Sequence, residues 1–123
     1  MNKIPESPFF SVVIPTYERA EDLKNCLGAL SYENQTEAPL YEVIVSDDSS
    51  STESKNLVQN KFKKVIWNQG KKKGPAANRN AGVAKAKGKW IVFIDDDCIA
   101  EKGYLKAFEE AIKRDQDLEV MEG

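Results

Sequence analysis

The chain has 123 residues, 41% of them hydrophobic and 31% charged, with a formal net charge of −2. This fits one soluble globular domain with its own core and supplies no global field for nucleic acid or an anionic membrane. Histidine is absent, which excludes His-based general-base catalysis, His–Cys zinc sites and a Ser-His-Asp triad.

In chain order, Phe10-Ser11-Val12-Val13-Ile14 is a short β-branched run stopped by Pro15 and predicts a buried strand. Ala20, Leu23, Leu27 and Leu30 follow at helical spacing with charges between them, an amphipathic helix that ends in the polar stretch from Asn34 to Pro39. Tyr41-Glu42-Val43-Ile44-Val45 predicts a second strand running into Ser46-Asp47-Asp48-Ser49-Ser50-Ser51. Ser50 and Glu53 have the spacing of a capping box and predict a second helix. Lys64-Val65-Ile66-Trp67 predicts a short third strand, and Asn68 to Gly74 a basic loop. Pro75 suits the first turn of a third helix, Ala77, Ala81 and Ala84 give it a smooth packing face, and Gly88 is the expected stop. Trp90-Ile91-Val92-Phe93-Ile94 is the strongest strand and runs into Asp95-Asp96-Asp97. Tyr104, Leu105, Phe108 and Ile112 predict a last amphipathic helix, and Leu118-Glu119-Val120-Met121 the start of another strand.

Strand and helix thus alternate four times, which predicts an α/β fold: a mostly parallel, doubly wound sheet with helices on both faces. Ligands bind such sheets beyond the carboxyl ends of the strands. The segments that follow the strands are therefore expected to meet on one edge: Pro15-Thr16-Tyr17, Asp47-Asp48, the basic loop leading to Arg79, and Asp95-Asp96-Asp97.

Each of these has a plain structural explanation as well as a functional one. Three adjacent ionised aspartates repel one another near a sheet edge unless a cation is present. Mg²⁺ or Mn²⁺ takes one or two carboxylates and completes its shell with water or phosphate; a solvated acidic loop or a helix cap explains the run equally well. Asp47-Asp48 reads as turn residues or as acceptors for a base or ribose. Arg79, early in a helix, sits unfavourably against the dipole unless an anion binds there. Lys71-Lys72-Lys73 reads more simply as a solvated loop than as a cationic lid. Tyr17 either stacks on a base or packs between sheet and helix. Cys26 and Cys98 are too few for a disulfide framework and are expected as reduced thiols, Cys98 as a packing residue.

Together these segments resemble the family 2 glycosyltransferases of GT-A fold. Ser11-Val12-Val13-Ile14-Pro15-Thr16-Tyr17-Glu18-Arg19 is similar to the family's opening strand and turn, and Val43-Ile44-Val45-Ser46-Asp47-Asp48-Ser49-Ser50 to its second-strand acidic motif. Gly74-Pro75-Ala76-Ala77-Asn78-Arg79-Asn80-Ala81-Gly82 is similar to its helix with an Arg-Asn pair, and Phe93-Ile94-Asp95-Asp96-Asp97 to its Asp-x-Asp signature. The four matches fall in order and span nearly the whole chain.

The resemblance implies a nucleoside-diphosphate sugar donor, with a UDP-sugar favoured, and an acceptor hydroxyl on a saccharide or lipid-linked saccharide. Pro15, Thr16 and Tyr17 would line the base pocket, Asp47 would accept from the base, and Arg79 would contact the nucleotide. Asp95 and Asp96 would lie near ribose and metal, and Asp97, with Asp95, would hold Mg²⁺ or Mn²⁺. Transfer would invert the anomeric centre. The family's acceptor-binding part and catalytic base follow the region matched here, so residues 1–123 are expected to be the donor-binding half, inactive alone, with no base assigned. Two positions depart from the family pattern: Ser49 stands where glycine is usual and Glu18 where asparagine is common.

Rival classes fit less well. A receiver-like signalling domain needs its acidic pair after the first strand, where this chain has Pro15-Thr16-Tyr17. A sugar-nucleotide-forming nucleotidyltransferase needs a Gly-rich phosphate loop there. A non-catalytic nucleotide- or metal-binding module is the alternative that the same residues allow. No apolar run has the length of a membrane span, and Met1 to Pro8 lacks a signal-peptide pattern. A cytoplasmic location is the default expectation, with peripheral membrane contact left open.

Overall fold

The computed structural model describes residues 7–115. Four strands alternate with four helices: β1 (Phe10–Thr16), α1 (Ala20–Ala29), β2 (Tyr41–Asp47), α2 (Glu53–Lys61), β3 (Ile66–Gln69), α3 (Pro75–Val83), β4 (Trp90–Phe93) and α4 (Tyr104–Arg114). All strand pairs are parallel, in the order β3-β2-β1-β4. The α/β reading and the doubly wound sheet therefore hold. The strand expected at Leu118–Met121 lies outside the described residues.

One face of the sheet carries most of the core. Phe10, Val12 and Ile14 of β1 and Val43 and Val45 of β2 pack with Leu23, Cys26 and Leu27 of α1, Val58 of α2, and Leu105 and Ile112 of α4. The opposite face holds α3 against β1 and β2. A Cβ built on Gly82 would lie 2.6 Å from Val13 Cγ1, so glycine is what lets α3 approach so closely.

Four local expectations shift. β1 passes through Pro15 to Thr16 instead of stopping before it. Proline is tolerated because the backbone of Pro15 faces the β4 side, as Val13 does, and the ladder with β4 ends at the Val13–Phe93 pair and the Ile94 N–H to Val13 bond. β3 lies two residues later than predicted, because Val65 N–H closes a turn on Phe62 and the pairing begins at Ile66 opposite Ile44. The capping box does not form: Thr52 occupies the cap position of α2 without a side-chain hydrogen bond to the helix backbone. Gly88 does not end α3, which finishes at Val83. It lies instead against β1, where a Cβ would come within 2.5 Å of Ser11 N and where its own N–H donates to Ser11 Oγ.

Candidate functional site

The first strand to depart from the run β1, β2, β3 is β4, on the other side of β1. That makes the gap between the ends of β1 and β4 the switch point where parallel sheets open a crevice. A cleft of about 570 Å³ lies there. It is lined from β1 and its turn by Pro15, Thr16, Tyr17 and Arg19, and from the β2 turn by Asp48 and Ser50. The loop into α3 contributes Lys72 and Gly74, α3 contributes Pro75, Asn78 and Arg79, and the β4 turn contributes Asp95 and Asp96.

Six of the predicted residues thus meet on one cleft: Pro15, Thr16, Tyr17, Arg79, Asp95 and Asp96. Tyr17 is 61% exposed, so its ring is presented to solvent and not packed between sheet and helix. Arg79 is exposed on the second turn of α3.

Asp47 does not line the cleft. It is the last residue of β2 and only 2% exposed; Oδ1 accepts from Ser49 N–H at 2.8 Å and Oδ2 from Trp67 Nε1 at 3.0 Å. The adjacent Asp48 takes the cleft position, with Oδ1 accepting from Lys72 N–H at 3.0 Å. Gly70 makes room for it, since a Cβ there would overlap Asp48 Oδ1.

The acidic turn is divided by burial. Asp96 is 7% exposed, accepts from Thr16 Oγ1 at 2.8 Å and lies 3.5 Å from an Arg19 guanidinium nitrogen. Burial pushes its carboxyl above the usual range, and the Thr16 hydroxyl and Arg19 only partly oppose that. Asp97 is exposed, outside the cleft lining, and 3.9 Å from the same guanidinium. Asp95, Asp97 and Cys98 each offer one ligand atom, all within 4.8 Å of one another. Cys98 is exposed, contrary to its expected packing role. Cys26 is the packed thiol; it donates to Asp95 O at 3.6 Å, and burial first, with Cys98 and the aspartates adding, pushes it up to about 12.

Three residues at the cleft were not singled out by sequence. Arg19 lies within the opening motif, where a basic residue before a helix carries no distinct signal. Lys72 is one of three equivalent lysines until the fold selects it. Asn78 is buried, at 3% exposure, and ties three elements together. Its Oδ1 accepts from Ser46 Oγ at 2.7 Å, while Nδ2 donates to Ser46 O at 3.0 Å and Thr16 O at 3.4 Å. An asparagine on an otherwise small-residue helix face was the available signal.

An α/β sheet with a charged, aromatic-rimmed crevice at its switch point defines the class of doubly wound ligand-binding domains. Within that class, Glycosyl transferase family 2 matches residues 11–122, and the chain belongs to that family. It is 40% identical over 95 residues to the GalNAc(5)-diNAcBac-PP-undecaprenol beta-1,3-glucosyltransferase of Campylobacter jejuni, covering 73% of this chain and 30% of the relative. It is 31% identical over 104 residues to Glycosyltransferase AglE of Haloferax volcanii, covering 80% of this chain and 34% of that one. Among solved structures, S. aureus TarS 1-349 in complex with UDP superposes with a TM-score of 0.71 at 29% identity, over 85% of this chain and 32% of that one. The chain thus spans about a third of the length of these relatives. No described helix is long and apolar enough to cross a membrane.

Proposed function

We propose that the chain is the donor-binding part of a glycosyltransferase that moves a sugar from a nucleoside-diphosphate sugar, with a UDP-sugar favoured, to an acceptor hydroxyl with inversion. The carrying observation is the cleft at the switch point, which joins an exposed aromatic ring, cationic side chains and carboxylates from four separate strand ends. The UDP complex of the similar S. aureus protein supports uridine diphosphate as the nucleotide. The name of the C. jejuni relative supports a lipid-linked saccharide as the class of acceptor.

In this reading Tyr17 stacks on the base, with Pro15 and Thr16 forming the wall behind it. Asp48 accepts from base or ribose, while Asp47, already engaged on both oxygens, fixes the turn that presents it. Arg79 and Lys72 face the diphosphate, and the start of α3 adds the positive end of its dipole.

The donor set at the acidic turn fits a hard divalent cation. Asp95 and Asp97 supply two carboxylates at close range, and Mg²⁺ or Mn²⁺ characteristically adds water and phosphate oxygens to such a pair. The thiol of Cys98 is the softer donor and is not required. When bound, the cation offsets charge on the departing nucleoside diphosphate. Asp96, turned inward onto Thr16 and Arg19, holds the turn in place. No described residue is assigned as the base that activates the acceptor.

The reading is tested by adding UDP to the ¹⁵N-labelled chain with Mg²⁺ present. The amides of Tyr17, Asp48 and Arg79 are expected to shift together with one saturation curve. UDP at millimolar concentration that leaves all three in place contradicts the reading.

A further inference from the structure

The two departures from the family pattern, Glu18 and Ser49, are hydrogen-bonded to each other. Glu18 N–H donates to Ser49 Oγ at 2.6 Å. The Glu18 carboxylate then reaches over the β2 turn, where Oε1 accepts from Ser51 Oγ at 2.9 Å and Ser51 N–H at 3.4 Å. Glu18 holds φ at 52°, in the left-handed region where asparagine is several-fold enriched among non-glycine residues. The conformation that asparagine favours is therefore kept here by a residue with a longer reach.

The strap and the cleft alternate along both turns. Tyr17 and Arg19 line the cleft and flank Glu18; Asp48 and Ser50 line it and flank Ser49. Every strap residue thus sits between two groups that face the ligand space, or next to one. The three bonds join the β1–α1 turn to the β2–α2 turn, and none reaches the acidic turn after β4.

We infer that Glu18 is a positioning residue, which through Ser49 and Ser51 sets the separation between Tyr17 and Asp48 and so tunes recognition of the nucleoside portion of the ligand. The inference rests on the donor-site reading above. It differs from that reading in placing the control in groups that do not themselves touch the nucleotide. The strap joins the β1 and β2 turns on the nucleoside half of the cleft and makes no bond of its own to the β4 turn or α3, which carry the diphosphate half.

The test measures affinity of the 123-residue chain for UDP and for inorganic pyrophosphate, both with Mn²⁺, in Glu18→Ala, Ser51→Ala, the double variant and Glu18→Gln. Both alanine variants are expected to weaken UDP about three- to fivefold, because the lost hydrogen bonds are solvent-exposed, with pyrophosphate unchanged within about twofold. The double variant should be no weaker than either single one, because both remove the same link. Glu18→Gln keeps an acceptor oxygen at the same reach and should recover most of the UDP affinity. Alanine variants that bind UDP as tightly as the parent overturn the inference alone. So do variants that lose UDP and pyrophosphate equally, which would mark a general loss of structure. A parent chain that binds neither ligand overturns the donor-site reading and the inference with it.

Discussion

The Thr16 hydroxyl donates to Asp96 Oδ2 at 2.8 Å, and this bond crosses the switch point between the ends of β1 and β4. It fastens the buried member of the acidic turn to the central strand and leaves Asp95 and Asp97 turned outward on either side. Among the described residues, the Ile94 N–H to Val13 bond and the exposed contact with Arg19, beyond the end of β1, also tie this turn to the β1 side.

Thr16→Val removes that donor while keeping the shape of the side chain. A buried carboxylate loses a hydrogen bond, at a cost of about 1.5–3 kcal/mol. The denaturant midpoint is expected to fall accordingly with an unchanged slope. A midpoint equal to the parent's would show that Asp96 does not depend on Thr16.

Asn78 is the polar pin of the opposite face. Asn78→Ala leaves the buried Ser46 Oγ without its acceptor and takes a side-chain donor from the Ser46 and Thr16 carbonyls, of which Thr16 O keeps the Asp48 N–H at 3.0 Å. Stranding the Ser46 hydroxyl and weakening the two carbonyls is expected to cost roughly 1–3 kcal/mol. Thermal unfolding checks it, and hydrogen exchange should show the ends of β1 and β2 loosening before their middles.

Gly82→Ala tests the approach of α3 to the sheet. The added methyl meets Val13 Cγ1 at 2.6 Å and Ser46 Cβ at 3.3 Å, in the packed interior. Overpacking of this kind is expected to destabilise by about 1–3 kcal/mol despite the better helix propensity of alanine. Gly28→Ala, where a Cβ meets nothing within 4 Å, is the matched control and should be neutral or mildly stabilising.

Glu18 supplies a pH signature. The Ser51 hydroxyl holds its carboxyl below the ordinary value of 4.5; desolvation, next in size, opposes this, and smaller contributions from the Ser51 and Ser50 backbone and the Ser49 hydroxyl add to the lowering. A depressed folded pKa means that the strap contributes fully above that value and is lost as pH falls through the folded one. NMR titration of the Glu18 carboxyl should show the depression, and Ser51→Ala should move it back toward 4.5. A carboxyl unaffected by Ser51→Ala would mean that the strap does not form in solution.

Much of this was legible in the residue order. Strand–helix alternation gave the sheet, and the rule that ligands collect at strand ends brought Tyr17, Arg79 and Asp95 to one cleft before any distance was known. Asp47 and Asp48 could not be told apart in that way. Which of two adjacent carboxylates faces the cleft depends on how far β2 continues and on Trp67, whose indole claims Asp47. Trp67 lies within the predicted third strand, but a strand this short offers little periodicity to fix its register against β2, so its contact with Asp47 stayed hidden. Asn78 was passed over and Gly88 misplaced for a related reason: their partners, Ser46 and Ser11, are distant in sequence and meet them only where α3 and the segment before β4 pack against β2 and β1.

The most direct test of the donor-site account is a calorimetric titration of UDP into the chain with and without Mn²⁺, repeated on Asp97→Ala. Asp97 lies outside the cleft lining and, among the described residues, its only close cationic contact is the 3.9 Å pair with Arg19, so its loss should leave the fold intact. The account predicts weak UDP binding without metal, clearly tighter binding with it, and loss of most of that gain in Asp97→Ala. An Asp97→Ala chain that keeps the full effect of Mn²⁺ would contradict the assignment of the acidic turn.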